Sequence, residues 1–369
     1  MSNDPSSSPI AKAPYEGLWM DGFSLSETRG GALLAGGQAW RRDGIGATPG
    51  ARSDASFWEL ATRRWHPLPS LPHPRQDHAA VTLPEGRVLL IGGRSHDAAE
   101  LRTTLLWDPA DRRFHEGPPL LAARSRPIAV SLADGAVLVL GSDFDDDMER
   151  GTRAEVLWPG ARQWEPAGQT ARLFHPGPVC VSGERVLIAG GRDNGFGFAI
   201  VEGVHYAPPL DQMTEVWERS SRAWKTLGPL TRSRDEATGV TLSDGRILVV
   251  GGWDRGTTLA TAEVWDPRTN EWSETGSVAL PRSSFALTAL PNGGAALSGG
   301  LAGPSSENTR SVELWDPVQG TWSPGAPLAV GRSGHRLAEV ERGTFLVVSS
   351  TRDSQQGLET TWEVWRPRG

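Results

Sequence analysis

At 369 residues and a formal net charge of −7, the chain intersperses 44 acidic with 37 basic side chains, so it shows no basic footprint for nucleic acid. No apolar run approaches the ~20 residues of a membrane helix, and the opening MSNDPSSSPIAKAPYEG has no apolar h-region of a signal peptide. The one cysteine, Cys180, cannot form an internal disulfide; these features together predict a cytoplasmic protein, expected to be monomeric.

In chain order, residues 1–8 are polar and Ser-rich and are expected to be a flexible N-terminus. Residues 9–369 read as one domain. GLWMDGFSLS (17–26) and GALLAGG (31–37) read as two strands joined through Gly30-Gly31. The same unit then recurs, best seen at 237–272: an apolar strand, a Gly-containing turn, a second apolar strand ending in Gly-Gly, a variable loop, EVWDP and a closing Trp. The glycine pairs are Gly36-Gly37, Gly92-Gly93, Gly190-Gly191, Gly251-Gly252 and Gly299-Gly300, with weaker copies at Gly141-Ser142 and Ser349-Ser350. A Trp marks each third strand: Trp58, Trp107, Trp158, Trp217, Trp265, Trp315 and Trp365. A second aromatic follows six of them, at Trp65, Phe114, Trp164, Trp224, Trp272 and Trp322. The seventh unit thus lacks an outer strand. Counting back from Gly37 by the repeat interval puts Pro9–Ala13 where that strand belongs, paired near Trp362–Trp365. Such closure removes exposed sheet edges.

A period near 50 residues, with Gly-Gly and paired aromatics, resembles the kelch-repeat family over nearly the whole chain. The resemblance implies an all-β fold: a seven-bladed kelch β-propeller with four-stranded antiparallel blades, the last blade closed by an N-terminal strand. The innermost strands AAVTL, IAVSL, PVCVS, TGVTL and ALTAL use small or β-branched residues, as crowding around a propeller axis requires. Cys180 sits in one of them and reads as a core thiol.

In a four-stranded meander, the loops after Gly-Gly and the crossovers into the next blade emerge at one end. Those loops are long and variable, so function is expected there. Each crossover holds an arginine at a repeated offset: Arg75, Arg124, Arg234, Arg282 and Arg332, with Arg172 slightly out of register. In some family members arginines of such R-S-G-H-like motifs grip acidic peptides or substrate carboxylates; the fixed, always-charged guanidinium suits that task. The six are therefore candidate ligand-binding residues. The competing reading is that each ties blades together through backbone carbonyls. Trp40, Trp253, His205 and Tyr206, from the loops on the same face, complete the candidate set. The long loop 192–213 could fold over the channel.

Glu215, Glu263, Glu313 and Glu363, two residues before the third-strand Trp, and the shifted Glu155 read as structural. Asp143, Asp145, Asp146, Asp147 and Glu149 form an acidic loop without the spacing of a cation-binding loop; no metal ligands and no cofactor are assigned. His78, His175 and His335 share a crossover location. Two functions fit. One is a binding module for an acidic peptide or protein, or an anionic small molecule. The alternative is a metal-independent isomerase, mutarotase or cyclase acting on an anionic or sugar-like substrate at the same face. The copper radical oxidases of this family use a Tyr–Cys cross-link, which Tyr15, Tyr206 and Cys180 do not provide.

Overall fold

The computed structural model describes residues 11–12, 18–41, 50–141, 153–170, 174–193, 199–201, 204–206, 212–254, 257–303, 306–353 and 357–367. Among them lie seven four-stranded antiparallel sheets and no helix. Blade 5 shows the local logic. Thr238–Thr241, Ile247–Val250, Ala262–Asp266 and Glu271–Thr275 follow one another as a meander. The β-branched second strand is buried on both faces, and its register sets Ile247 opposite Trp265 and Trp265 opposite Trp272.

The inner strands of successive blades are Ser24–Thr28, Ala79–Thr82, Ile128–Ser131, Val179–Ser182, Thr238–Thr241, Ala286–Ala289 and Arg336–Glu341. Each contacts the next, and the last contacts the first, so they form a ring. Seven hydrophobic clusters fill the seven junctions. Leu33, Phe57, Leu90 and Trp107 join blades 1 and 2; Phe23, Leu34, Ala338 and Leu346 join blades 1 and 7. The core is thus divided among blade interfaces; six hold a third-strand Trp at low exposure, and the junction of blades 2 and 3 holds the closing aromatic Trp164 instead. At ~25 cal/mol per Å² of apolar surface, this repeated burial is the main stabilising term.

Ala11–Lys12 is the outer strand of the last sheet, with Ala11 opposite Trp362 and Lys12 opposite Thr361. The expected closing strand is present, within the segment read from the repeat. The first expected strand is divided instead. Leu18–Asp21 pairs with Gln38–Arg41, and only Ser24–Thr28 enters blade 1. Gly22, at φ 61°, makes the break. In blade 7, Ser349-Ser350 replaces Gly-Gly, so the backbone stays extended and the two central strands run long, over Thr344–Asp353 and Gly357–Trp365. Trp362, outside the repeat pattern, packs edge-on against Trp58 and Trp65, 6.0 and 6.5 Å between ring centroids, and so seals the junction of blades 7 and 1.

Candidate functional site

The crossover arginines form a constant framework around the channel mouth. Arg234 is typical. Its guanidinium donates to Gly251 O at 2.8 Å, Thr261 O at 2.9 Å and Thr261 Oγ1 at 2.8 Å, and its Nε meets Glu263 Oε1 at 2.9 Å. Arg124 pairs with Glu155, Arg282 with Glu313 and Arg332 with Glu363. The other carboxylate oxygen accepts the backbone N–H three residues before the arginine: Leu121, Thr231, Ala279 or Ala329. Each pair thereby locks a crossover to the third strand of the blade it leads into. The arginine carbonyl reaches back to the preceding blade, where Gly37, Gly93, Gly191 and Gly300 donate to Arg75, Arg124, Arg234 and Arg332. A Cβ on Gly92 would stand 2.8 Å from the Arg124 carbonyl oxygen, which is why the strand ends in glycine there.

This corrects the expectation that Arg75, Arg124, Arg234, Arg282 and Arg332 present a cationic rim. All five are 0–1% exposed, and their donors are directed at carbonyls, hydroxyls and glutamates of the fold. Leaving such a charge buried without its partners would be costly, so the fold encloses it in hydrogen bonds. The competing structural reading describes them, with the added carboxylate from the repeated Glu. Blade 2 departs from the pattern. Leu105 stands at the glutamate position and Pro72, which has no N–H, at the amide position. Arg75 bonds Gly92 O, Thr103 O and Thr103 Oγ1, while its Nε finds no partner and burial pushes its pKa down to about 10. It stays protonated at neutral pH.

A second set of positions, missed in the sequence, surrounds the same mouth. Two residues before six of the inner strands the backbone is left-handed: Gly22 (φ 61°), Asp77 (52°), Arg126 (50°), Glu236 (52°), Ser284 (53°) and Gly334 (59°). Neighbouring members are hydrogen-bonded: Asp77 N to Gly22 O, Arg126 N to Asp77 O, and Gly334 N to Ser284 O. A non-glycine residue in this conformation costs roughly 1–2 kcal/mol. Arg126, Glu236 and Ser284 are exposed, and Arg126 lies 3.5 Å from Asp77. Gly334, inside the R-S-G-H motif, was the available signal. A glycine in one copy marks a left-handed backbone position, and the same offset in the other blades gives the rest.

Trp253 is half-buried, exchanges backbone hydrogen bonds with Asp235 and so sits one residue from Glu236. Trp40 lies opposite Trp19 in the two-stranded pair that flanks the first strands of blade 1, and His205 lies opposite Ile200 with Tyr206 opposite Ala199 in a short hairpin of the 192–213 segment. Arg172, most of the 192–213 loop, and Asp143, Asp145, Asp146, Asp147 and Glu149 lie outside the described residues. His78 and His335 are buried with Nε2 2.8 Å from Ser24 Oγ and Ser298 Oγ. Burial first, then the neighbouring arginines, pushes both down to about 3, so they are neutral at physiological pH. Their partners are serine hydroxyls of the neighbouring blade. His175 lies in the short strand Phe174–Pro176.

Between the inner strands runs a cavity of about 440 Å³, walled by Leu25, Val130, Val181, Val240 and the hydroxyls of Ser26, Thr82, Ser131 and Thr241. A second cavity of about 650 Å³ continues it at the turn side through Glu27, Thr82 and Ser131. Cys180 lines the first; burial pushes its thiol up to about 12, so it is no nucleophile.

The Kelch motif model matches residues 237–278, the span of blade 5 described above. This chain is a kelch-repeat propeller. Kelch-like protein 4 of Homo sapiens is 32% identical over 81 residues, 22% of this chain and 11% of that protein. Kelch-like protein 33 of Homo sapiens is 27% identical over 139 residues, covering 37% and 24%. The tRNA wybutosine-synthesizing protein 4 of Aspergillus oryzae is 29% identical over 115 residues, covering 30% and 10%. The propeller thus matches a quarter or less of the length of these curated relatives. A fungal alcohol oxidase of the AA5 family, solved in complex with copper, superposes with a TM-score of 0.70 at 14% identity, over 98% of this chain and 76% of that one. The structure of YjhT superposes with a TM-score of 0.56 at 11% identity, over 85% and 99%. These likenesses show the fold. No three His, Cys, Asp or Glu side chains gather among the described residues, and Cys180 is a buried thiol in the channel wall. No helix among the described residues is long and apolar enough to cross a membrane.

Proposed function

We propose that residues 9–369 act as one binding module, which takes a protein or peptide segment on the loop-side mouth of the ring. The observation that carries this reading is a division of labour. The buried arginines repeat from blade to blade and belong to the architecture. The left-handed rim positions are equivalent in backbone but differ in side chain: Asp77, Arg126, Glu236 and Ser284. Strained backbone at a rim is a reason to look for function. Arg126 and the exposed Arg336 are the cations offered to an acidic partner group, with Asp77 and Glu236 beside them to receive a basic one. Trp253 supports the same face, with an indole next to Glu236. Trp40, His205 and Tyr206 remain part of the proposed surface by their place on the loop segments. We read the module as a cytoplasmic monomer.

An isomerase or cyclase at this mouth would need a paired acid and base. His78 and His335 are buried and neutral, and no observation pairs an acid with a base at the mouth, so none favours that reading. The test is a binding array of acidic, basic and neutral peptides alongside sugars and carboxylated metabolites. The variant combines Asp77→Ala, Arg126→Ala and Glu236→Ala. Peptide binding by the wild type, lost in the variant at an unchanged melting temperature, supports the module. Binding that survives all three substitutions overturns the site. A response to small molecules alone turns the reading toward an enzyme.

A further inference from the structure

On the loop side, blades 1, 2, 4, 5 and 6 share a joint that blade 7 lacks. In each of them the strand leaving the glycine pair is bonded to residues of the crossover into the same blade. Leu18–Asp21 pairs with Gln38–Arg41 in blade 1, Phe174–Pro176 with Gly191–Asp193 in blade 4, and Arg282–Ser283 with Leu301–Ala302 in blade 6. In blades 2 and 5 the joint is a single bridge, Gln76 to Arg94 and Asp235 to Trp253. The crossover residues lead into the inner strand, so the edge they cover faces the axis of the ring.

Blade 7 has Ser349-Ser350 where the glycine pair belongs, and its second strand runs on unbent to Asp353. Ser349 Oγ accepts Arg332 Nη1 at 2.7 Å, where Gly92, Gly251 and Gly299 offer a carbonyl to the corresponding arginine. Residues 350–353 pair with residues 357–360 on the side away from the axis. On the other side the inner strand begins at Arg336, opposite Val348, and none of the crossover residues 332–335 pairs with residues 350–353. Among the described residues, a strand edge therefore faces the mouth without a partner. Leu18–Asp21 lies near this hairpin, but its ladder is with Gln38–Arg41.

We propose that an extended segment of a protein partner adds to residues 350–353 as an antiparallel strand, with an acidic residue at its C-terminal end beside Arg336.

This rests on the reading of the loop-side mouth as a protein-binding surface, and it names how the partner is held there. An open strand edge is a template for another chain, because an incoming backbone satisfies its N–H and C=O groups. Blade 1 shows the fit within this chain: Leu18–Asp21 fills the equivalent place against Gln38–Arg41. The ladders of blades 1, 4 and 6 are all antiparallel, which sets the direction of the guest. Running antiparallel to residues 350–353, it continues the line of the inner strand and reaches Arg336 with its C-terminal end. Arg336 is exposed and has no carboxylate at ion-pair distance among the described residues, so an acidic side chain there gains a charge-assisted contact. Main-chain bonds supply the affinity and this cation fixes the sense of the strand.

The probe is a library of short random peptides, selected on the full chain. Selected peptides are remade with N-methyl groups on alternate backbone amides, in the two possible registers, and hydrogen exchange is read along the chain with and without peptide. A strand held by one edge bonds through every second residue, so one register should lower affinity by about tenfold or more and the other should leave it nearly unchanged. Amides of residues 350–353 should exchange more slowly in the complex. Arg336→Glu should weaken peptides that end in an acidic residue. Equal tolerance of both methylated registers, or no protection of residues 350–353, overturns the proposal; if the combined Asp77→Ala, Arg126→Ala and Glu236→Ala variant still loses binding, the module at the mouth stands without it. Protection of residues 350–353 by peptides that ignore those three substitutions keeps the edge and removes the rim reading. Failure to select any peptide overturns both. Protection of the same residues in the concentrated free chain, with a doubled mass in sedimentation, assigns the edge to a second copy and overturns the proposal as well.

Discussion

Arg234 and Glu263 are 0% exposed in the same pair, with every bond directed into the fold. A buried ion pair need not stabilise more than an apolar replacement would, but breaking one strands its partner. Arg234→Met keeps volume and leaves Glu263 as an uncompensated buried charge, so we expect a loss of about 3–5 kcal/mol. Arg75→Met removes a cation that has no carboxylate partner and should cost clearly less. Urea denaturation of the two variants checks the order; an equal cost would mean the glutamates contribute nothing to the clamp. The same reasoning explains why the rim residues, and not the arginines, are the ones to mutate in search of binding.

At the scale of the element, the crossover and the third strand behave as one unit. Blades 3, 5, 6 and 7 have both the glutamate and an amide three residues before the arginine; blade 2 has neither, with Leu105 and Pro72 in their places. Leu105→Glu alone puts a carboxylate beside Arg75 but leaves one oxygen without a donor, in a cluster with Leu33 and Phe57. Adding Pro72→Ala restores the N–H. A double-mutant cycle should therefore show favourable coupling of about 1 kcal/mol between the two changes. Additive effects would show that the amide and the carboxylate are independent. The glycine pairs obey a related constraint. Gly36, Gly92 and Gly299 each lie where a Cβ would meet the arginine carbonyl of the next crossover, at 2.5, 2.8 and 2.5 Å. The glycines and the arginine thus form one cross-blade joint.

For the molecule as a whole, stability rests on closing a ring of seven similar interfaces. Deleting residues 1–12 removes Ala11 and Lys12 and bares the edge strand Gly357–Trp365. We expect a lower melting temperature and self-association through the freed edge. Deleting residues 1–8 should change neither. Matching melting curves for the two truncations would contradict the closure. The loss should be global because each blade is held by its neighbours, and opening one junction removes support from the next.

The strands, their order and the closing segment were legible because they repeat. Seven Trp positions and five Gly-Gly pairs sample one pattern many times, so an irregular copy such as Ser349-Ser350 does not obscure it. Continuous apolar second strands and glycine-dependent turns act over a few residues, and short-range physics is written in short-range sequence. The fate of the arginines was not legible. Arg234 and Glu263 are far apart in the chain, and only the stacking of crossover on third strand shows that each consumes the other. Sequence could report that a guanidinium recurs at the mouth, but burial is a property of the assembled ring. The same holds for Asp77, Arg126, Glu236 and Ser284, whose positive φ arises from how the crossover enters the inner strand.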